Sequence, residues 1–232
     1  MNGRMKRLIR AVVYLFALGT AFAHQPRFIG DKPTIEVRDP EISQAFYAWL
    51  AGAPQTYTIR SAVPLRLYVN ILVPDIPGID TDYEAVIFKE SGGQKEVLAR
   101  LDGKAYEWQP FFEPFGGDRY KLGPEYDEQA PAGTYIVVVS SPDNTGRYAL
   151  AVGTIEKFPP LEMARTIAAL PKLKRYFGKS PWTAFFNLSG AFLLVVILAV
   201  AVPVALFVRF RRRRRRRAAD QPHRLKYRTL KR

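Results

Sequence analysis

The sequence predicts a mainly β protein: an antiparallel β-sandwich with one short capping helix, followed by a juxtamembrane helix and a single transmembrane helix. Short runs of β-branched and aromatic residues recur between turn residues over residues 24–156, with almost no helical pattern between them. One such run, residues 65–73, alternates apolar and polar residues as a half-buried strand does. Residues 185–208 contain no charged side chain, and a run of arginines follows them. These three observations predict a sandwich attached to a membrane span.

The positive charge of the chain is concentrated at its two ends. The 232 residues carry a formal net charge of +14, to which residues 1–10 contribute +4 and residues 209–232 contribute +12. Residues 24–208 are slightly acidic, at −2. This distribution indicates membrane topology and not a basic folded domain that binds nucleic acid. The absence of cysteine excludes disulfides, thiolate metal ligands and cysteine nucleophiles.

The first 23 residues have the pattern of a signal peptide. A basic segment, residues 1–10, precedes the apolar residues 11–20 and the small-x-small site at residues 21–23. The apolar segment is too short to span a bilayer comfortably, so cleavage before His24 is expected. The signal sends the following residues across the membrane, and the positive-inside rule keeps the arginine block in the cytoplasm.

The exported domain, residues 24–156, is predicted to contain eight strands and one helix. The helix is bounded by Asp39 as its N-cap and Gly52 as its stop, and it carries an apolar stripe at helical spacing: Ile42, Ala45, Phe46, Trp49 and Leu50. We interpret it as a cap on one end of the core. The predicted strands, bounded by turn residues, are 34–38, 56–61, 65–73, 83–89, 96–101, 105–109, 133–140 and 147–152.

The last two predicted strands form the clearest local unit. Gly133-Thr134-Tyr135 opens an apolar strand, residues 142–146 supply Pro, Asp, Asn and Gly for a turn, and Arg147-Tyr148 opens the returning strand. Over residues 132–153 this hairpin resembles the closing hairpin of jelly-roll β-sandwiches of the bacterial pre-peptidase C-terminal domain type. The resemblance implies a jelly-roll-like sandwich that acts as a non-catalytic accessory or binding module, and it transfers no functional residue.

An aromatic and acidic stretch is the strongest candidate for a ligand or partner site. Rings beside carboxylates on a loop rich in Gly and Pro suit stacking of a sugar or an anchored partner protein. The alternative is that the rings belong to the core and that the Gly-Gly pair is only a turn. The candidate residues are Phe111, Phe112, Glu113, Phe115, Asp118 and Tyr120.

Two weaker patterns are compatible with metal binding. Asp75, Asp80, Asp82 and Glu84 surround a tight turn and offer oxygen ligands for calcium, although a solvated acidic loop is the simpler interpretation. A mature N-terminal His24 would offer an α-amine and a ring nitrogen, a pair that suits copper. The exported part has no second histidine, so a single residue carries the copper hypothesis, and coincidence is its alternative.

Residues 157–184 form a basic amphipathic segment before the span. Six basic residues and one acid give residues 157–180 a charge of +5, whereas residues 24–156 carry −7. Such a helix can lie on the outer leaflet with Tyr176, Phe177 and Trp182 at the membrane interface. Packing on the sandwich and docking on another subunit are the alternatives.

The predicted transmembrane helix spans residues 185–208, and residues 209–232 form an arginine-rich cytoplasmic tail. Arg209, Arg211 and Arg212 stand at the membrane boundary, where they can bind anionic lipid head groups. The tail has one aromatic residue and no predicted fold, so recognition of nucleic acid is not expected.

The sequence predicts a single-pass membrane protein that presents a non-catalytic binding or assembly module outside the cytoplasmic membrane. It contains no recognisable catalytic set, so we expect an accessory subunit of a membrane or envelope complex and not an enzyme. The expected partners are the lipid bilayer and a membrane or envelope protein, and no cofactor is expected unless His24 binds copper. A copper-binding protein and an envelope hydrolase with an unrecognised site are the alternatives.

Overall fold

The chain divides into two units in the computed structural model, which describes residues 24–114 and 116–228. The boundary lies between Asn187 and Leu188. The first unit contains two β-sheets and the helix that follows them, and the second is one long helix. The predicted signal peptide, residues 1–23, and Phe115 lie outside the described residues.

Eleven strands are found within the described part of the first unit. In chain order they are β1 (Gln25–Gly30), β2 (Thr34–Val37), β3 (Gln44–Ala51), β4 (Gln55–Ser61), β5 (Leu65–Pro74), β6 (Glu84–Ser91), β7 (Gln94–Asp102), β8 (Gln109–Glu113), β9 (Asp118–Ala130), β10 (Gly133–Ser140) and β11 (Thr145–Val152). A six-stranded sheet has the order β1-β3-β11-β5-β9-β8, and a five-stranded sheet has the order β2-β4-β10-β6-β7. The predicted mainly β sandwich is confirmed.

The main core lies between the two sheets. The alternation that predicted β5 holds in the structure, because Leu65, Leu67 and Val69 are buried in this core while Arg66 between them is exposed. The opposing sheet contributes residues such as Ile59 to the same cluster. Burial of these aliphatic and aromatic side chains is the dominant stabilising contribution in a domain without disulfides.

A buried polar chain joins the two sheets through this core. The hydroxyl groups of Tyr57 and Tyr148 are 2.8 Å apart, and the Tyr148 hydroxyl donates to Gln55 Oε1 at 2.6 Å. The Gln55 amide group then donates to the backbone carbonyls of Gly30 and Lys32. Each of these buried polar groups therefore has a partner, as a low-dielectric core requires.

A second hydrophobic cluster covers the outer face of the six-stranded sheet. Helix α1 (Pro160–Tyr176) packs Leu170 and Leu173 on this face, and Ala184 of the following 3-10 helix (Pro181–Phe185) joins the same cluster. The sheet contributes residues that point away from the main core, including Tyr47 of β3. Among the three placements considered for the segment 157–184, the structure has the one in which it packs on the sandwich.

The predicted capping helix is wrong, because its residues form strand β3. Phe46, Ala48 and Leu50 point into the main core, while Ala45 and Tyr47 point into the cluster beneath α1. Since both faces of the strand are covered, apolar residues occur at consecutive positions and also satisfy helical spacing. A short apolar run does not distinguish a helix from a strand that is buried on both faces.

The sandwich is mixed and not purely antiparallel. Strand β1 pairs in parallel with β3, and β2 pairs in parallel with β4. The segments 25–37 and 44–61 each cross from the six-stranded sheet to the five-stranded sheet in the same direction. Because they run side by side, their pairing is parallel in both sheets, whereas the other strand pairs are antiparallel.

Two strands occur where a loop was predicted, and one predicted strand is absent. Residues 105–109 lie mainly in a turn, whereas β8 and β9 occupy the stretch rich in Gly and Pro. Strand β9 accommodates Gly123 and Pro124 at an irregularity in its pairing with β5, where Asn70 Nδ2 donates to both of their carbonyls at 2.9 and 3.3 Å. A bulge of this kind tolerates residues that regular strands exclude.

The second unit is helix α2 (Leu188–Arg228). Within it, the candidate span Leu193–Arg213 contains an 18-residue window with a mean hydropathy of 2.8, and none of that window is buried by the rest of the described chain. At 1.5 Å per residue, its 21 residues extend for about 30 Å, the thickness of a hydrocarbon core. This helix could therefore span a membrane. It begins three residues after the predicted start at Phe185, which belongs to the preceding 3-10 helix.

Candidate functional site

The aromatic and acidic stretch folds as a hairpin of β8 and β9 instead of an open loop. Glu113 and Asp118 are directly opposite at its closed end, and Gly117 N donates to Glu113 O at 2.9 Å. Gly117 has a φ of +69°, a left-handed conformation that favours glycine at this position. The hairpin lies at the edge of the six-stranded sheet, where the chain after α1 passes over it.

Asp118 lies at the centre of a buried ion-pair group. Its Oδ2 is 2.7 Å from Lys174 Nζ and its Oδ1 is 2.7 Å from Lys179 Nζ. The Asp118 side chain is fully buried and that of Lys174 is 2% exposed, whereas the side chain of Lys179 is 40% exposed. A buried carboxylate is stable only with such partners, since desolvation of an unpaired charge is costly.

The turn of the hairpin is bound by side chains from the same part of the chain, the end of α1 and the residues that follow it. Lys174 Nζ donates to the carbonyl of Gly116, and Asn187 Nδ2 donates to the same oxygen at 2.7 Å. Gly116 N in turn donates to Glu113 Oε2 at 2.6 Å, and a Cβ on Gly116 would lie 2.7 Å from that carboxylate oxygen. A Cβ at this position would therefore displace the Glu113 carboxylate from its contact with the turn. We call this group the clasp: Glu113, Gly116, Asp118, Lys174, Lys179 and Asn187.

An aromatic cluster lies beneath the clasp. The hydroxyl groups of Tyr47 and Tyr120 are 2.7 Å apart, and Phe177 meets the Tyr120 ring edge-on at a centroid distance of 4.8 Å. Tyr176 packs edge-on against Tyr47 at 5.2 Å. Burial raises the pKa of Tyr47 and Tyr120 well above the usual tyrosine range, so both hydroxyls are neutral and serve as a structural pair.

The other end of α1 is held by a second group of ion pairs. Glu162, in the first turn of α1, accepts from Arg27 of β1 at 3.0 Å and from Arg165 at 2.7 Å. Burial disfavours ionisation of Glu162, but the hydrogen bonds from Arg165 and Arg27 outweigh it and lower its pKa. Helix α1 is thus fixed to the six-stranded sheet at both ends.

The residues of the predicted ligand site have different environments in the structure, and ligand binding there stays a prediction. Asp118 and Tyr120 are buried in structural contacts, Glu113 binds the hairpin turn, and Phe111 packs partly into the aromatic cluster. Phe112 is 53% exposed, with the Arg119 guanidinium 5.9 Å from its ring. Of the predicted residues that the structure describes, Phe112 is the one with a largely exposed aromatic side chain.

The predicted membrane-interface residues separate into two groups. Tyr176 and Phe177 are buried against the sheet, so the interface prediction is wrong for these two: their rings complete the cluster under α1. Trp182 is 76% exposed and remains a predicted interface residue. Arg209, Arg211 and Arg212 are exposed on α2, and their lipid contacts remain predictions.

His24 is half-buried beside strand β3. Its Nδ1 shares a hydrogen bond with Ser43 Oγ, and burial lowers its pKa to about 4, so the ring is neutral at neutral pH. The described residues contain no group of three His, Asp or Glu side chains placed to hold a metal ion. The copper hypothesis stays a prediction, and it requires the ring nitrogen to exchange Ser43 for the metal.

Of the four acidic residues considered for calcium, Glu84 on β6 has an ion-pair partner. Glu84 accepts from Arg100 Nη1 at 3.0 Å across the β6–β7 pair. Asp75, Asp80 and Asp82 lie on the loop between β5 and β6. This arrangement agrees with the solvated acidic loop and does not assemble the calcium ligands that the spacing suggested.

The basic half of the clasp was not predicted from the sequence. Lys174 and Lys179 were counted only as part of the basic charge before the span, because nothing in the local pattern distinguishes a lysine that pairs with Asp118 from one that faces solvent. One signal was available: Lys174 follows Leu170 by four residues and therefore lies on the apolar face of the helix. A charge on that face needs a buried partner.

Comparison with known proteins yields distant structural matches. No family model matches the chain, and no curated protein matches it. The chain is similar to the pre-peptidase C-terminal domain of a collagenase from Bacillus anthracis, with 18% identity, a TM-score of 0.31 and coverage of 57% of this chain and 98% of that domain. The resemblance expected from residues 132–153 is therefore confirmed as a weak one.

Two further structures match less well. A mitogen derived from Yersinia pseudotuberculosis shares 15% identity at a TM-score of 0.24, over 47% of this chain and 90% of that one. A β-glucosidase from Paenibacillus barengoltzii shares 10% identity at a TM-score of 0.21, over 56% of this chain and 13% of that one. At these values none of the matches assigns a function or a site residue to this chain.

Proposed function

We propose that this chain is a single-pass membrane protein that presents its β-sandwich outside the cytoplasmic membrane as a non-catalytic binding or assembly module, an accessory subunit of a membrane or envelope complex. The observation that carries the proposal is the stretch Leu193–Arg213 of α2, which is long and apolar enough to span a bilayer and is not buried by the rest of the described chain. Uncovered apolar surface of this size is stable only in lipid or against another protein.

The charge distribution supports the proposed orientation. Arginines begin at Arg209, within the C-terminal end of the stretch Leu193–Arg213, and the segment from residue 209 onward carries +12, whereas the sandwich region 24–156 carries −7. Basic residues beside a span are retained in the cytoplasm, which leaves the sandwich on the other side. The signal-like first 23 residues, which lie outside the described part, favour the same orientation.

The clasp orders the end of the first unit against the sandwich. Asn187, the last residue of that unit, donates to the Gly116 carbonyl in the hairpin of β8 and β9 at 2.7 Å.

The state of the polar groups favours binding over catalysis. Both carboxylate oxygens of Asp118 are occupied by lysines, and Glu113 accepts from the backbone of the hairpin turn. A catalytic acid or base must reach a proton of its substrate, and these contacts occupy the carboxylate oxygens that would do so. The exposed Phe112 beside Arg119 is instead a suitable anchor for a partner protein, since aromatic and arginine residues are enriched at interface hot spots.

A site-specific photo-crosslinker tests the assembly role. A benzoylphenylalanine at Phe112 in the native membrane is expected to give a discrete covalent adduct with a membrane or envelope protein. The matched control is the same probe at Val63, which is 60% exposed and lies between β4 and β5. Adducts of equal yield and identity at both positions, or the absence of an adduct at Phe112 together with purification of a lone protein in mild detergent, would contradict the proposal.

A further inference from the structure

A basic groove lies between α1 and the outer face of the six-stranded sheet. Its volume of about 560 Å³ is within the range of small-molecule sites. Strand β1 contributes one lining residue, the adjacent ends of β3 and β11 contribute four, and α1 contributes three. The lining residues are Phe28, Trp49, Leu50, Gly146, Arg147, Lys172, Arg175 and Tyr176. None of the residues of the clasp lines it.

Trp49 provides a fixed aromatic surface in this groove. It is directly opposite Arg147 in the β3–β11 pair, so both side chains lie on the outer face of the sheet. One edge of its ring lies against the backbone of Gly30, where a Cβ would approach the ring atoms to 3.2 Å. The side chain nevertheless remains 41% exposed, which is unusual for a large ring at the end of a buried strand.

Three cations border the same groove. Arg147, Lys172 and Arg175 are exposed, and none of them takes part in an ion pair among the described residues of the first unit. Arg147 donates one hydrogen bond to the carbonyl of Tyr176 at 2.9 Å, and Lys172 lies 4.8 Å above the ring of Phe28. A guanidinium has five N–H donors, so the contact with Tyr176 leaves most of those on Arg147 available for a ligand.

The electrostatic balance of the groove favours an anion. Among the described residues, no acidic side chain lines it. The C-terminal end of α1 carries a partial charge of about −0.5, and three full positive charges exceed it. Arginine forms bidentate pairs with carboxylates and phosphates, and partial burial strengthens such pairs relative to water.

We propose that this groove binds an acidic saccharide, with one sugar ring against Trp49 and its carboxylate or phosphate between Arg147, Lys172 and Arg175. The apolar C–H face of a sugar ring matches the exposed tryptophan, and the anionic group matches the cations. A glycerophosphate head group offers the anion without a ring, and an acidic peptide offers carboxylates on flexible chains, so neither uses Trp49. The inference rests on the proposed function, because it names the ligand of the binding module.

The test is calorimetric titration of the full chain, held in phosphatidylcholine nanodiscs, with trigalacturonate. Maltotriose is the neutral counterpart, and triglutamate is the acidic ligand without a ring. The first variant is Lys172→Gln with Arg175→Gln, and its matched control is Lys95→Gln with Lys104→Gln, which removes two exposed lysines at the far side of the sandwich. The arginine-rich tail is the same in every variant, so a difference in affinity between the variants measures binding at the groove.

Loss of two charge-assisted contacts is expected to weaken trigalacturonate binding about tenfold or more. Trp49→Leu should also weaken it, while the control variant binds as the wild type does and maltotriose does not bind. Equal affinities in the groove and control variants would overturn the proposal. Triglutamate binding as tight as trigalacturonate binding, or groove-dependent binding to phosphatidylglycerol vesicles without trigalacturonate binding, would overturn it as well. Titration in nanodiscs does not depend on the orientation of the chain in the membrane. A negative binding result would therefore contradict the proposed ligand site without contradicting the proposed topology.

Discussion

Asp118 decides how the residues after α1 are attached to the sandwich. It is fully buried, it is bound by two lysines, and it follows Gly117, whose φ of +69° would strain any larger residue. A carboxylate in a stretch rich in aromatic residues suggests a ligand site at the level of sequence. The structure shows instead that two lysines of the same chain neutralise its charge.

The Asp118→Asn substitution is expected to lower the free energy of unfolding by about 3–5 kcal/mol, because it leaves Lys174 buried with a neutral partner. The measurement is denaturant unfolding of the full chain in nanodiscs, followed by the fluorescence of the partly buried Trp108. Asp127→Asn is the matched control: Asp127 pairs with Arg66 at the surface, where a loss within about 1 kcal/mol is expected. Equal losses for the two variants would show that the ion pair at Asp118 is not structurally important.

Glu162 gives the attachment of α1 a dependence on pH. Its pKa in the folded protein is lowered, so its contribution to stability is present above the unfolded-state pKa and is lost as the pH falls through the folded one. The stability difference between the wild type and Glu162→Gln should therefore be present at neutral pH and shrink over roughly pH 5 to 3. Denaturant unfolding at pH 7 and at pH 3.5 measures it.

The control for this prediction is Glu36→Gln. Glu36 pairs with Arg60 at the surface, and its side chain is 49% exposed, so solvent screens the pair and a smaller difference is expected. A Glu162→Gln difference that stays constant between the two pH values would argue that its ion pairs with Arg27 and Arg165 contribute nothing to stability.

Among the elements, a strand with one buried and one exposed face shows its period of two in the sequence. The start of β5 is an example, because Leu65 and Leu67 alternate with exposed or half-buried residues. Strand β3 was predicted as a helix because α1 covers its second face, and that cover comes from residues more than 100 positions away. The apolar pattern of a short sequence window cannot reveal a covering element that is so distant in the chain.

The hairpin of β8 and β9 was missed for a different reason. Gly123 and Pro124 interrupt the pattern of β9, and the side chain of Asn70 on the neighbouring strand satisfies their carbonyls. The environment of the predicted site could not be deduced from that stretch alone, because Lys174 and Lys179, which pair with Asp118, come from the segment after the sandwich. The groove at Trp49 likewise combines β1, β3, β11 and α1, so no local motif marks it.

Helix α1 offers a matched pair of substitutions that tests its placement. Leu173→Ala removes a side chain that is 5% exposed and packed on the sheet, and a loss of about 2–5 kcal/mol in the free energy of unfolding is expected. Leu161→Ala removes one that is 61% exposed, and a change within about 0.5 kcal/mol is expected. Denaturant unfolding in nanodiscs measures both. The reverse order would indicate that α1 meets the membrane or another subunit through a different face.

For the whole molecule, we propose an anchored binding module in which α2 crosses the cytoplasmic membrane with the sandwich outside and the arginines inside. The chain contains no cysteine, so single cysteines can report the side of the membrane without background. Val63 on the exposed surface of the sandwich and Ala218 in the basic segment are suitable positions.

The decisive measurement is labelling of Val63→Cys and Ala218→Cys with a membrane-impermeant maleimide, in intact spheroplasts and after permeabilisation. We expect the cysteine at position 63 to react in intact spheroplasts and the one at position 218 to react only after permeabilisation. Protection of position 63 with labelling of position 218 would contradict the orientation, and labelling of both positions in intact spheroplasts would contradict a membrane-spanning α2.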